Sequence, residues 1–68
     1  MLVDKVALGR RIKVMRQNLG MTQEEFAERL NCTNSHLGKI ENGKGGISIE
    51  LLVSVANMLH TTVDQLLL

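Results

Sequence analysis

The sequence predicts an all-α fold, a compact domain of five short helices with a helix-turn-helix formed by helices two and three. Apolar residues recur at the three- and four-residue spacing of buried helical faces along most of the chain. Serine and threonine stand where several of these faces begin, as N-cap residues do, and glycines separate the segments in a chain without proline. Because 68 residues suffice for one small domain with one modest core, we expect a single domain over residues 1–68.

The first helix is predicted from about Asp4 to just before Gly20. Its buried face is expected to hold four residues at positions i, i+4, i+7 and i+11: Leu8, Ile12, Met15 and Leu19. The net charge of +1 is almost neutral, but the charges are unevenly distributed. Basic residues crowd this first helix: Lys5, Arg10, Arg11, Lys13 and Arg16.

Helices two and three follow closely on one another, over about 23–30 and about 34–41. Thr22 and, three residues later, Glu25 predict a capping box at the start of helix two. Asn31 is expected to end that helix in a left-handed conformation, which asparagine tolerates better than most residues. Thr33 then caps helix three. Two helices joined by such a turn form a helix-turn-helix, whose second helix presents its outer face to the major groove of DNA.

The rest of the chain predicts a loop and two more helices. Residues 42–46 include three glycines in four positions and favour a loop. Ser48 is the expected N-cap of helix four, which should end at His60. A second capping box, Thr62 with Gln65, predicts a short fifth helix. The inward-facing residues of this last helix should be Val63, Leu66 and Leu67.

Several classes of protein are excluded by composition and motifs. Phe26 is the only aromatic residue, which argues against proteins that stack single-stranded RNA on exposed rings. Cys32 is the only cysteine, so no internal disulfide or cysteine-based metal cluster is expected, and we predict a buried structural thiol. The glycine-rich segment follows a helix instead of a strand, which argues against a nucleotide-binding loop. No constellation of catalytic residues is present.

We therefore expect no enzyme activity, no cofactor, no metal site and no small-molecule substrate. The chain shows no signal peptide and no apolar run of the ~20 residues needed to span a bilayer. A cytoplasmic protein without membrane contact is the resulting expectation.

The outer face of helix three is polar. At 100° per residue, Leu37, Ile40 and Glu41 share one side, which must face the core. The opposite side holds short or polar residues, with one more projecting from the first turn: Ser35, Gly38, Lys39, Asn42 and Asn34. Such a stripe is often only a solvated surface. Gly38, however, costs the helix about 1 kcal/mol relative to alanine, and the close approach of a base or groove wall would account for it.

Individual residues on this face have chemistry suited to DNA. Asn34 can offer its carboxamide to adenine, and Ser35 can donate to or accept from several bases. Lys39 can reach guanine or a phosphate. His36 lies beside the stripe and either contacts the edge of the DNA or is merely exposed.

The chain resembles the phage repressor/Cro (XRE-type) helix-turn-helix family over nearly its whole length. The resemblance is carried by segments in the family's order and spacing: residues 16–23 (RQNLGMTQ), Phe26-Ala27, residues 40–43 (IENG) and residues 63–67 (VDQLL). It implies a repressor-like domain in which Asn34, Ser35 and Gly38 lie at the DNA interface. It also implies that Gln23 contacts a phosphate beside the start of helix two. Asn42 and Lys44 are expected to hold the DNA backbone from the loop.

Two charged residues are predicted in half-buried places. Arg16 lies at the margin of the buried face of helix one, and Glu41 lies on the inward side of helix three, so each needs a partner. The family resemblance implies that they pair with one another; the alternative is two independent surface charges. Asn31 and His60 stand where the family commonly has glycine.

The predicted function is a sequence-specific double-stranded DNA-binding transcriptional regulator, a repressor acting as a homodimer on a palindromic operator. Leu66, Leu67 and Leu68 crowd the C-terminus with more apolar surface than so short a helix buries, and they form the predicted dimer interface. The alternative is that all three cap the monomer core. Competing functions are a helical protein-interaction module and an antitoxin-like autoregulator that use the same fold.

Overall fold

The computed structural model describes residues 4–68, and that part of the chain forms five α-helices. Their bounds are α1 Lys5–Asn18, α2 Gln23–Arg29, α3 Asn34–Glu41, α4 Ile49–Met58 and α5 Val63–Leu67. The predicted all-α fold is confirmed, and the helix limits agree with expectation to about one or two residues. Among the described helices, none has the length and apolar character required to cross a bilayer.

The helices enclose one apolar core. α1 contacts α3 and α5, α2 contacts α3, and α4 contacts α5. The largest fully buried side chains come from all five helices: Ile12, Phe26, Leu37, Val55 and Leu66. Every helix therefore contributes an apolar anchor, and burial of about 1.5–3 kcal/mol per large side chain stabilises the arrangement.

A capping side chain begins each helix. Asp4, Thr22, Thr33, Ser48 and Thr62 each accept hydrogen bonds from backbone amides of the first turn. The capping box of Thr22 and Glu25 is present in full. The second predicted box is only half formed. The Thr62 hydroxyl accepts from the Gln65 amide at 3.1 Å, but within residues 4–68 the Thr62 amide does not donate back to the Gln65 side chain.

Four helices end in the same way, with a residue of positive φ followed by an amide that returns to the carbonyl five residues earlier. The φ values are 74° at Gly20, 59° at Asn31, 72° at Gly43 and 57° at His60. The returning bonds include Cys32 N to Ala27 O at 3.0 Å and Thr61 N to Ala56 O at 2.9 Å. Asparagine and histidine are among the non-glycine residues that adopt this conformation most readily, so α2 and α4 can end without glycine.

The crossing of α1 and α3 depends on a glycine. A Cβ atom on Gly9 would lie 2.7 Å from the carbonyl oxygen of Glu41 and would also overlap the carbonyl oxygen of Ile40. Because backbone atoms cannot move away as a flexible side chain can, only glycine lets the two helices approach this closely. The crossing fixes the last turn of α3 against the first half of α1.

Three sequence-based assignments are corrected by burial. Leu19 is 46% exposed and caps the end of α1, so the buried face of that helix stops before it. Cys32 is half-buried instead of fully buried. Leu66 is fully buried, and its carbonyl accepts a hydrogen bond from Arg11 Nη1 at 3.0 Å. The prediction that Leu66 lies at a dimer interface is therefore wrong, because its side chain has no surface to offer a partner.

Candidate nucleic-acid interface

The helix-turn-helix is built from α2, a turn at 30–33 and α3. Phe26 and Ala27 on α2, and Leu37 and Ile40 on α3, are buried and hold the two helices against the core. The turn is stabilised by the Thr33 hydroxyl, which accepts from the His36 amide at 3.0 Å. Because Leu37 and Ile40 pack against the core, the opposite face of α3 is exposed to solvent.

The predicted DNA-contacting residues gather along that outer side and the loop that follows it. Six of them are exposed: Asn34, Ser35, His36, Lys39, Asn42 and Lys44. Gly38 and Gln23 are half-buried and lie side by side, because a Cβ atom on Gly38 would be 3.5 Å from both terminal atoms of the Gln23 carboxamide. Of the residues predicted to touch DNA or a second copy, only Leu66 is withdrawn from the surface.

A buried ion pair joins α1 to the last turn of α3. Arg16 Nε donates to Glu41 Oε2 at 2.7 Å, and Arg16 Nη2 donates to Glu41 Oε1 at 3.1 Å. The two side chains are only 7% and 1% exposed, respectively. Arg16 Nη1 also donates to the Met21 carbonyl at 2.8 Å, and no buried side-chain polar atom in the described residues lacks a partner. The pairing expected from the family resemblance is thus present, with bidentate geometry of the stronger kind.

Gln23 is connected to this pair, a link that sequence reasoning missed. Its Nε2 donates to Glu41 Oε1 at 3.1 Å. The carboxamide is therefore oriented by a buried carboxylate, and its oxygen cannot turn toward Glu41 without placing two acceptors against each other. One N–H and the carbonyl oxygen of Gln23 are left for another partner beside Gly38.

Gly38 itself is not required by packing inside the protein. The 3.5 Å distance from an added Cβ to the Gln23 carboxamide is an ordinary van der Waals contact, so alanine fits at this position. At Gly9, by contrast, the carbonyl oxygens of α3 leave no room for a Cβ atom. The monomer fold therefore supplies a reason for Gly9 and none for Gly38.

Local environment shifts two pKa values near the helix-turn-helix. Hydrogen bonds from the Thr22 amide and hydroxyl, together with the nearby charge of Arg29, lower the pKa of the Glu25 carboxyl. Burial at the turn raises the pKa of the Cys32 thiol. A lowered carboxylate pKa means that the capping box contributes stability at neutral pH and loses it as the pH falls through the folded-state value. The raised thiol pKa favours the unreactive thiol form.

The chain matches the family model described as "Helix-turn-helix" over residues 12–66. It is 36% identical over 62 residues to the HTH-type transcriptional regulator ImmR of Bacillus subtilis, covering 91% of this chain and 49% of that protein. It is 40% identical over 58 residues to the uncharacterized HTH-type transcriptional regulator YazB of Bacillus subtilis, covering 85% and 84%. The chain thus spans about half the length of ImmR but most of YazB.

The fold is also shared with a solved protein–DNA complex. The chain matches the crystal structure of the master regulator for biofilm formation SinR in complex with DNA with a TM-score of 0.80 and 36% identity, covering 88% of this chain and 97% of that one. The chain belongs to the helix-turn-helix family of XRE-type DNA-binding transcriptional regulators. The chain carries the DNA-binding domain of that family. Within residues 4–68, no cluster of three or more metal-ligating side chains occurs.

Proposed function

We propose that this protein is a sequence-specific repressor that binds double-stranded DNA in the cytoplasm as a homodimer on a palindromic operator. The observation that carries the proposal is the exposed polar face of α3 around Gly38, a glycine for which packing inside the monomer gives no reason. In the major groove, the close approach of a base edge or sugar would supply that reason. Occupancy of a promoter by such a domain excludes other proteins, which is repression in its simplest form.

Base recognition is assigned to the first turns of α3. Asn34 and Ser35 are exposed at its N-terminal end, where recognition helices contact base edges. The Asn34 carboxamide is suited to adenine and the Ser35 hydroxyl to several bases. Lys39 reaches guanine or phosphate from the next turn, and His36 contacts the edge of the groove.

Phosphate contacts are assigned to three residues around that helix. Asn42 and Lys44 are exposed just beyond the end of α3, and Gln23 stands at the start of α2 with one free N–H. Such contacts set the position of the protein on DNA without reading sequence.

A second copy is needed because one recognition helix contacts only a few base pairs. The exposed apolar residues Leu68 and Ile49, 74% and 80% exposed, are assigned to the dimer seam. Leu67 contributes to the wall of an apolar groove of about 410 Å³ that also includes Ile47 and Ile49. In a two-fold dimer, the exposed apolar side chains of each copy can pack into this groove on the other copy, so that the same surface is used twice.

The test separates base contacts from phosphate contacts. An operator is first selected from random duplex DNA, and affinities for it and for a scrambled duplex are measured by fluorescence anisotropy. Asn34→Ala and Ser35→Ala should each weaken operator binding roughly 5- to 150-fold, corresponding to about 1–3 kcal/mol, with little effect on scrambled DNA. Lys44→Ala should weaken both duplexes alike.

Asn57→Ala, which truncates an exposed asparagine on α4, is the matched control and should change neither affinity. Selection that enriches no sequence, or Asn34→Ala and Ser35→Ala variants that bind operator as the parent does, would reject α3 as the reading helix. A protein-interaction module would show no preference for DNA in these measurements.

A further inference from the structure

The basic residues of α1 serve different purposes. Arg16 is buried against Glu41, and the Arg11 guanidinium donates to the Leu66 carbonyl. Lys5 borders the apolar groove beside α5. Arg10 and Lys13 are exposed on another side of the helix, and they form no ion pair in the described part of the chain.

Arg10 and Lys13 face the end of the recognition helix. They line a shallow groove of about 380 Å³ whose other wall includes Asn42. The full lining is Val6, Arg10, Lys13, Val14, Gln17, Glu41 and Asn42. The close crossing at Gly9 sets this spacing, since Gly9 lies directly against the carbonyls of the last α3 turn. The two cations therefore flank the residue assigned above to a backbone phosphate.

No anionic side chain is available to neutralise them in that groove. Glu41 is its only acidic member, and the Glu41 carboxylate is 1% exposed and already bound to Arg16. The cations thus face solvent beside a proposed DNA contact, where a polyanion is the complementary partner.

We propose that Arg10 and Lys13 form a second grip on the DNA backbone, which extends the phosphate contacts of Asn42 from α3 onto the outer face of α1. This inference rests on the proposed function, because it takes α3 to lie in the major groove. The partner is the phosphate backbone of the same duplex, so the contact adds affinity and salt dependence without sequence preference.

Two other roles for this face make different predictions. In the first, Arg10 and Lys13 only stabilise the C-terminal end of the α3 dipole, as cations near a helix end do. Removing the charges would then lower the stability of the fold and leave DNA binding unchanged. The exposed Val6 and Val14, 55% and 47% exposed, would suit a protein partner, and DNA affinity would again be independent of the charges.

The experiment compares the salt dependence of binding for Arg10→Gln, Lys13→Gln and the double variant on a half-site duplex. Each lost phosphate contact should reduce the slope of log affinity against log salt by about 0.9, so the double variant should be shallower by about 2. The operator and scrambled duplexes should lose affinity by equal factors. Arg29→Gln is the charge-matched control, because Arg29 is exposed beside Glu25 and Glu28 and does not line the groove of Arg10 and Lys13.

The outcomes are distinguishable from failure of the proposed function. If Asn34→Ala loses operator discrimination but Arg10→Gln and Lys13→Gln have the slope of Arg29→Gln, the α1 grip is rejected and α3 reading stands. A lower melting temperature with an unchanged slope assigns the two charges to the α3 dipole and also rejects the grip. If the parent protein shows no preference for any duplex, the proposed function itself fails.

Discussion

The Glu41 carboxylate holds three structural units together. It accepts two hydrogen bonds from Arg16 on α1 and one from Gln23 at the start of α2, while its own backbone belongs to α3. Removing it leaves a buried guanidinium without its anion and frees the Gln23 carboxamide. A change confined to this one side chain therefore affects both stability and the proposed phosphate contact.

Glu41→Ala is expected to lower the free energy of unfolding by about 3–5 kcal/mol, because it strands a buried charge. Urea denaturation of Glu41→Ala, Arg16→Ala and the double variant completes a double-mutant cycle. Strong coupling is expected, since the double variant removes both charges together. Glu28→Ala, at an exposed glutamate on α2, should have little effect; additive losses in the cycle would contradict the ion pair.

Gly38 permits a sharper test, because stability and binding should change in opposite directions. Gly38→Ala is expected to raise the free energy of unfolding by roughly 0.5–1 kcal/mol, since alanine fits and favours the helix. The added methyl should nevertheless weaken operator binding, by pressing against the groove wall, and Gly38→Glu should abolish it. Urea denaturation measures the free energy of unfolding, and fluorescence anisotropy on the same samples measures operator affinity. Unaltered operator affinity in Gly38→Glu would show that α3 does not enter the groove.

At the scale of residues, the sequence predicts which side chains face inward, but it does not predict which residues far apart in the chain contact one another. Arg16 and Glu41 were recognisable as charged residues on inward faces, yet their pairing came from family resemblance. The contact of Gln23 with Glu41 joins residues 18 positions apart, and no local pattern encodes it. Gly38 and Gly9 are both glycines inside helices, and only the coordinates separate the one that packing requires, Gly9, from the one that it does not, Gly38.

At the scale of elements, helix starts are predictable because a cap is a contact within four residues. Thr22, Thr33 and Ser48 each bond an amide three positions later, so sequence alone reveals them. Helix crossings are different, since the surfaces that meet lie far apart in the chain. The α1–α3 crossing could be placed only with coordinates, although a glycine inside α1 was a visible signal.

Gly9→Ala is expected to destabilise the domain by about 1–3 kcal/mol or more, despite the higher helix propensity of alanine. The new methyl would overlap carbonyl oxygens of α3, and overpacking against backbone forces the helices apart. Thermal unfolding followed by circular dichroism measures the change. Gly38→Ala is the matched control, a helical glycine with room for a methyl, and it should raise the melting temperature. A stable Gly9→Ala variant would mean that α1 and α3 do not cross so closely.

At the scale of the whole molecule, large apolar side chains remain exposed on the last two helices. Ile49, Val53 and Leu68 are 80%, 43% and 74% exposed on α4 and at the end of α5. Sequence reasoning placed the seam at the C-terminal leucines, but it could not separate Leu66, which the core absorbs, from Leu68. Ile49 is included in the proposed seam because of its exposure. Sequence alone could not assign it there, because an apolar residue in the first turn of a helix is equally compatible with the core.

The proposed dimer makes the final prediction. Leu68→Asp or Ile49→Asp should weaken binding to a full palindrome whose half-sites are about 34–36 Å apart, because a charge at the seam opposes association of the copies. Binding to an isolated half-site should be unchanged, since α3 is untouched. Leu19→Asp, at a 46% exposed leucine that caps the far end of α1, is the matched control. Anisotropy on both duplexes, with light scattering on the free protein, measures the effect; equal affinity of the parent protein for half-site and palindrome would contradict the dimer.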